Sequence, residues 1–339
     1  MPHRIVCLGE LLLRLGAPDR QLLLQTPQFE VHVGGAEANV AVSLARFGHT
    51  AAMVSVVPDN ALGAAAVGEL RRHGVDTGAV VTGPGRMGLY FLATGAIQRP
   101  SEVLYDRAHS AFALAAPERF DWDALLTGAD AFHLSGVTPA LGPGPAAAAQ
   151  RAIHAARARG LNVSFDGNFR PKLWDAWRGD APAILRTLMG EADLLFADHR
   201  DIAVALGAEF PQVTPAERVI AAAQAAFAAF PALGRLATTI REQHSVDHHT
   251  LSALMVTRDG AVHATPAYPL TPIVDRIGAG DAFAAGVLHG RFAGLDDAAC
   301  LHFGLAAACL KHSLPGDFNL VDVDDVAAFL AQGRFDVRR

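Results

Sequence analysis

No apolar run in this 339-residue chain reaches the eighteen or so residues that a membrane-crossing helix needs, which argues against a membrane partner. The opening, Met1-Pro2-His3-Arg4-Ile5-Val6-Cys7-Leu8-Gly9-Glu10, reads as a short strand followed by a charge. It lacks the long apolar segment and cleavage site of a secretory signal. Cysteine is scarce: Cys7, Cys300 and Cys309 form an odd, unclustered set. Cys300 and Cys309 fall on one predicted helix, about 13 Å apart at the standard rise, beyond disulfide reach. These absences predict a reducing cytoplasm. Only 18% of residues are charged and the formal net charge is −6, which argues against nucleic acid as the main partner. Anionic substrates would need arginine and lysine concentrated locally. There is no G-x-x-x-x-G-K-[ST], and no G-x-G-x-x-G between an early strand and a helix, so the best-known phosphate loops are excluded. No repeat or low-complexity linker divides the chain. With 51% hydrophobic residues, it reads as a globular protein of one large domain or two ordinary ones.

What is present centres on Asp275-Arg276-Ile277-Gly278-Ala279-Gly280-Asp281-Ala282-Phe283-Ala284-Ala285-Gly286. A glycine turn entering a helix leaves backbone N–H groups pointing outward, at the positive end of the helix dipole. That is an anion site, and phosphate is its usual guest. Asp281, in the first turn, would repel a phosphate that was merely bound. Its position makes sense if it takes a proton from a hydroxyl that attacks the phosphate. Read by itself, the stretch fits equally well a tight turn in which Asp281 is only a favourable first-turn charge.

Along the chain, Arg4 to Gly9 reads as a buried strand, Glu10 to Leu15 continues apolar, and Gln21 to Val33 looks extended. Gly34-Gly35 then opens a helix in which Val40, Leu44 and Phe47 fall at i, i+4, i+7 and Gly48 stops it. The glycine pair admits close approach of a ligand, and Asn39 offers an amide to a sugar hydroxyl, although a solvated polar residue is its commoner fate. A strand at 51–57 and a helix at 61–73 follow. Met87 to Ala96 and Glu102 to Arg107 then form a hairpin with Gln98-Arg99-Pro100 at its turn, which interrupts the alternation. With the extended segment it reads as a lid, about 11–33 and 86–110, carrying Tyr90, Tyr105 and Arg107. A lid that excludes water suits phosphoryl transfer. Strands at 131–135, 162–166, 193–196 and 236–240 then alternate with helices at 146–159, 181–189, 199–206 and 215–229. A strand pair at 252–256 and 261–265 and helices near 278, 296–312 and 323–331 complete an α/β pattern with a mostly parallel sheet.

In such sheets ligands sit at the carboxyl ends of strands. Three candidates fall there: Asp166 to Lys172, with Asn168 and Arg170; Asp198-His199-Arg200-Asp201; and Gly278 to Asp281.

Gly34-Gly35-Ala36-Glu37-Ala38-Asn39-Val40-Ala41 and Gly278-Ala279-Gly280-Asp281-Ala282-Phe283 together resemble the paired signatures of the ribokinase-like (PfkB) carbohydrate kinases. The resemblance spans nearly the whole chain. It implies a three-layer α/β/α sandwich with a small β lid, in a single domain over 1–339, that uses ATP and Mg2+ and associates as a homo-oligomer through the lid. Gly88-Leu89-Tyr90-Phe91, Tyr105-Asp106-Arg107, His133 to Leu141, Asp166-Gly167-Asn168-Phe169-Arg170 with Leu173-Trp174, and Lys311 to Asn319 are similar to 2-keto-3-deoxygluconate kinases. The resemblance places substrate contacts on Gly34, Asn39, Tyr90, Tyr105, Arg107 and Arg170, and the catalytic base on Asp281; we add Asn168 to the substrate set. The backbone of Gly278, Ala279 and Gly280 would hold the developing charge. Guanidinium forks match carboxylates, so Arg107 and Arg170 are expected to close on a sugar acid. The chain departs from the family pattern in three places. Arg276 stands where threonine is common, and Thr238 to His249 replaces a glycine-containing turn, with Arg241 expected on phosphate. Asp198-x-x-Asp201 replaces Asn-x-x-Glu, so these two carboxylates are expected to serve magnesium through water or phosphate. A kinase of the same fold for fructose, 5-keto-2-deoxygluconate or a nucleoside, and a non-catalytic sugar or nucleotide sensor, are the rivals; the intact Asp281 disfavours the sensor. His244 and His248 suggest no zinc site, since no third ligand is evident.

Overall fold

Ile5, Val6, Cys7 and Leu8 are fully buried, and a strand with no polar side must be covered on both faces. That strand, β1 (Arg4–Leu8), lies inside a large sheet. In the computed structural model, which describes residues 2–331, the strands continue as β2 (Leu12–Gly16), β3 (Glu30–Gly34), β4 (Thr50–Pro58), β5 (Val80–Gly83), β6 (Gly88–Ala93) and β7 (Glu102–Asp106). After them come β8 (Ala131–Ser135), β9 (Asn162–Asp166), β10 (Leu194–Phe196), β11 (Arg235–Gln243), β12 (His249–Thr257), β13 (Val262–Ala264) and β14 (Tyr268–Leu270). The large sheet runs β13-β12-β11-β10-β9-β8-β1-β4-β5, with β14 also on β12. Its pairings from β5 across to β11 are parallel. Only the β12 edge is antiparallel.

Two apolar layers cover this sheet. Helices Pro143–Ala158, Ala181–Gly190, His199–Leu206 and Pro215–Ala229 bury Ile153, Leu185, Ile202 and Val219 on one face. Helices Ala36–Arg46, Ala61–Arg72, Ala279–Phe292, Asp297–Lys311 and Val323–Leu330 bury Leu44, Leu70, Phe283, Leu301 and Val326 on the other. The result is the expected α/β/α sandwich. Helices Ala279–Phe292 and Asp297–Lys311 touch backbone to backbone, since a Cβ at Gly286 would lie 2.7 Å from the Gly304 Cα. This contact seats the helix that carries Asp281. All three cysteines are free and buried.

A second sheet, β3-β2-β6-β7, stands apart from the first. It joins the two chain segments read as a lid, with β2 parallel to β6 and the outer pairs antiparallel. The extended reading of residues 21–33 holds only from Glu30 onward. The stretch before it is turns, with Asp19 and Leu24 at positive φ, because no neighbouring strand pairs its backbone. The β11–β12 hairpin is longer than the sequence suggested. Thr238 to Gln243 lie within β11, paired residue by residue with Leu254 to His249.

Candidate active site

Helix Ala279–Phe292 starts at Gly278, whose φ of 79° is left-handed. A Cβ there would lie 1.9 Å from the Asp317 carbonyl, so only glycine fits. The Ala279 amide donates to the Arg276 carbonyl at 3.3 Å. The amides of Gly278 and Gly280 have no such partner among the described residues, and both glycines line the adjoining cavity. Ala279, expected to share their role, is buried and spends its N–H on the turn.

Asp281 is 9% exposed and accepts a 2.6 Å hydrogen bond from the Asn39 side-chain amide. Burial pushes its carboxyl up to about 7, and the charges of Glu37 and Asp317 add to the rise. The Asn39 bond and Arg170 oppose it. A carboxylate poised near neutrality is suited to accept a proton in catalysis.

A cavity of about 400 Å³ opens in front of Asp281. It gathers the expected Asn39, Tyr90, Tyr105, Arg107, Asn168, Arg170, Arg241, Gly278, Gly280 and Asp281. Gly35 and Ala36 line it in place of Gly34. The bare Cα of Gly34 instead admits Asp317, whose Oδ2 would meet an added Cβ at 2.3 Å. Asp317 also faces the cavity, held by the Tyr90 hydroxyl at 2.7 Å and by Arg14 Nε at 3.1 Å. Arg14 reaches Asp275 as well, Nη2 to Oδ2 at 2.7 Å. A buried charge network thereby ties the small sheet to both loops that frame the helix start.

The two expected carboxylate readers differ. Arg107 is buried and its Nε donates to Glu10 at 2.6 Å, while the Ser110 hydroxyl donates to the other Glu10 oxygen. Arg170 is exposed, bonds only the Phe169 carbonyl, and has no acidic partner among the described residues. Arg170 is therefore the cation left for a ligand.

A second cavity, about 560 Å³, adjoins the first and shares Asp166, Asn168, Arg170, Arg241 and Gly280 with it. Asp198 and Asp201 line it, but their carboxylates are engaged as a reciprocal helix cap. Asp198 also pairs with Arg200, and Asp201 accepts from the Phe169 amide at 3.1 Å. Asp166 is different: its carboxylate has no hydrogen bond and faces both cavities. Burial and the charges of Asp281 and Asp201 push it well above the usual carboxylate range. A cation beside it would relieve that penalty. No group of three or more His, Cys, Asp or Glu able to hold a metal occurs among the described residues. A magnesium ion would fit here as an ion that keeps most of its water. His244 instead meets the Thr250 hydroxyl at 2.8 Å.

Sequence reasoning missed Asp317, Arg14, Glu10 and Glu37. Glu37 is buried against the Ser135 amide and the Ser135 and Thr138 hydroxyls at 2.8–2.9 Å, bracing the Asn39 helix. Glu37 and Asp317 lie within the resembling stretches Gly34 to Ala41 and Lys311 to Asn319, whereas Glu10 and Arg14 show only as charges set against apolar runs.

Comparison with known proteins shows the family. A family model described as pfkB family carbohydrate kinase matches residues 2–321. A 2-dehydro-3-deoxygalactonokinase of Haloferax volcanii is 32% identical over 333 residues, covering 98% of each chain. A 2-dehydro-3-deoxygluconokinase of Bacillus subtilis is 28% identical, covering 97% of this chain and 96% of that one. The crystal structure of 2-dehydro-3-deoxygluconokinase from Thermotoga maritima superimposes with a TM-score of 0.92 at 39% identity, over 98% of this chain and all of the other.

Proposed function

This chain belongs to the pfkB family of carbohydrate kinases, and from that premise we propose that it transfers the γ-phosphate of ATP to the 6-hydroxyl of 2-keto-3-deoxygluconate. The products are 2-keto-3-deoxy-6-phosphogluconate and ADP. The observation that carries the substrate assignment is Arg170, a cation without an acidic partner in the same cavity as Asp281 and Asn39. A sugar acid supplies the missing anion; a neutral sugar leaves it unmatched. Relatives named for this substrate and for its galactonate epimer support the class.

In this reading the acid lies in the first cavity and ATP in the second. Asp281 takes the proton of the 6-hydroxyl as that oxygen attacks phosphorus. The free amides of Gly278 and Gly280 meet the charge that develops on the phosphoryl oxygens. Asn39 keeps the Asp281 carboxylate oriented and partly ionised. Tyr90, Tyr105, Asn168 and Asp317 offer hydrogen bonds to the sugar hydroxyls, and Arg107 lines the same cavity as Arg170. Asp166, aided by Asp201, would hold magnesium through water, where the ion would neutralise phosphate charge. The small sheet is the lid that keeps water from the transfer. Its exposed Val31 and Leu104, with Leu22, Leu24 and Ile97 on its loops, suit the lid of a second copy. We place the reaction in the cytoplasm; no helix among the described residues is long and apolar enough to cross a membrane.

The test is ADP release with ATP, magnesium and a panel of 2-keto-3-deoxygluconate, its galactonate epimer, fructose, ribose and adenosine. Strong turnover on the sugar acids and weak turnover on the rest is expected. Turnover on a neutral sugar alone would overturn the substrate assignment and leave the role of Asp281 standing.

A further inference from the structure

Three arginines around the site have a carboxylate. Arg14 pairs with Asp275 and Asp317, Arg107 with Glu10, and Arg200 with Asp198. The guanidinium groups of Arg241 and Arg276 have neither a hydrogen bond nor an ion pair with the protein among the described residues, yet both residues line the first cavity. Arg241 lines the second as well. The two guanidinium groups stand close enough that Arg276 is the strongest charge depressing the affinity of Arg241 for its proton, after burial itself. Two cations that line one cavity repel, and an anion between them would relieve that repulsion.

The anion can be narrowed by position. Arg276 lies two residues before Gly278 and lines the first cavity but not the second, which puts it on the sugar side of the anion loop. Arg241 stands on β11, at the junction of the cavities. The sugar carboxylate already has Arg170. The group that passes through the junction is the phosphoryl group, with charge spread over three oxygens, which planar guanidinium forks match.

We propose that Arg241 and Arg276 form a clamp on the phosphoryl group in flight, Arg241 holding it from the nucleotide side and Arg276 from the sugar side. The proposal rests on the ATP-dependent transfer assigned above. The bond from phosphorus to the β,γ-bridging oxygen breaks and leaves its electron pair on ADP. The sugar 6-oxygen forms the new bond, and its proton goes to Asp281. Neither arginine changes protonation; each stabilises the charge spread over the three oxygens of the phosphoryl group in flight.

The experiment compares wild type with Arg276→Gln, Arg241→Gln and Arg276→Lys in two measurements. The first is steady-state kinetics on whichever sugar the panel selects. The second is calorimetric affinity for ADP alone and for ADP with magnesium and aluminium fluoride, which imitates the phosphoryl group in flight. Arg276→Gln should lower kcat by about 10²–10³, the usual worth of one such donor. It should weaken the fluoride complex by a similar factor, and leave both the KM of the sugar and the affinity for ADP alone within about threefold. Arg276→Lys should fall between, since it keeps charge but loses the fork. A fluoride complex as tight as wild type, or a raised sugar KM with kcat intact, would overturn the clamp; the latter would make Arg276 a carboxylate reader. The fluoride measurement needs no turnover, so it stands even if the substrate assignment fails.

Discussion

The Asn39 amide donates to the Asp281 carboxylate at 2.6 Å, joining two residues 242 positions apart. The bond stabilises the ionised form of a carboxyl that burial otherwise keeps protonated. It therefore sets how much base is available at neutral pH.

Asn39→Ala should move the acid limb of the kcat/KM profile to higher pH than in wild type, where it should lie near Asp281's own value of about 7. A profile unmoved by the substitution would assign the limb to another group.

Asp281→Asn should cut kcat by about 10²–10⁴ without changing the far-ultraviolet circular dichroism. It should also stabilise the fold. An unfolded aspartate loses its proton near pH 3.9, whereas the folded Asp281 does so at about 7. Between those values the folded state binds more protons, so its stability falls as pH rises. The variant escapes that fall. Its melting temperature should exceed wild type at pH 8, and the gap should close toward pH 4.

Arg170→Ala and Arg107→Ala should separate binding from stability. Arg170 is exposed and unpaired, so its loss should raise the KM for the sugar acid at least about tenfold, one charge-assisted hydrogen bond's worth, with little change in melting temperature. Removing Arg107 leaves Glu10 buried without its cation, a loss of about 3–5 kcal/mol. Adding Glu10→Gln to Arg107→Ala should restore much of the stability. Equal melting temperatures for the two single variants would contradict this assignment.

Gly34→Ala should act through Asp317, because the new methyl would lie 2.3 Å from its Oδ2. Weaker sugar binding at nearly unchanged affinity for ATP is expected, measured by the two KM values. Loss confined to ATP would sink the idea.

The helices at Ala36–Arg46 and Ala279–Phe292 were legible because local rules define them: glycine before the first turn and apolar residues at helical spacing. The fate of each charge was not. Arg107 and Arg170 look alike in sequence, but one is taken by Glu10, 97 residues away, and the other is left open. Asp198 and Asp201 have the spacing of a metal pair and equally that of a capping box, and the helix start claims them. Tyr90 and Asp317 meet across 227 residues with no periodicity to announce it. The turns before Glu30 were read as extended because polar, proline-bearing sequence does not reveal whether a partner strand lies alongside.

The bond between Arg14 and Asp275 closes a span of 261 residues. A ribosome adding 5–20 residues per second needs about 13–52 s to cover that distance. Throughout that interval the lid strand carries Arg14 without its counter-charges, since Asp317 lies farther along still. Assembly of the charge network thereby waits until both Asp275 and Asp317 have been made. A nascent chain that has not reached Asp281 has no candidate base to take a proton.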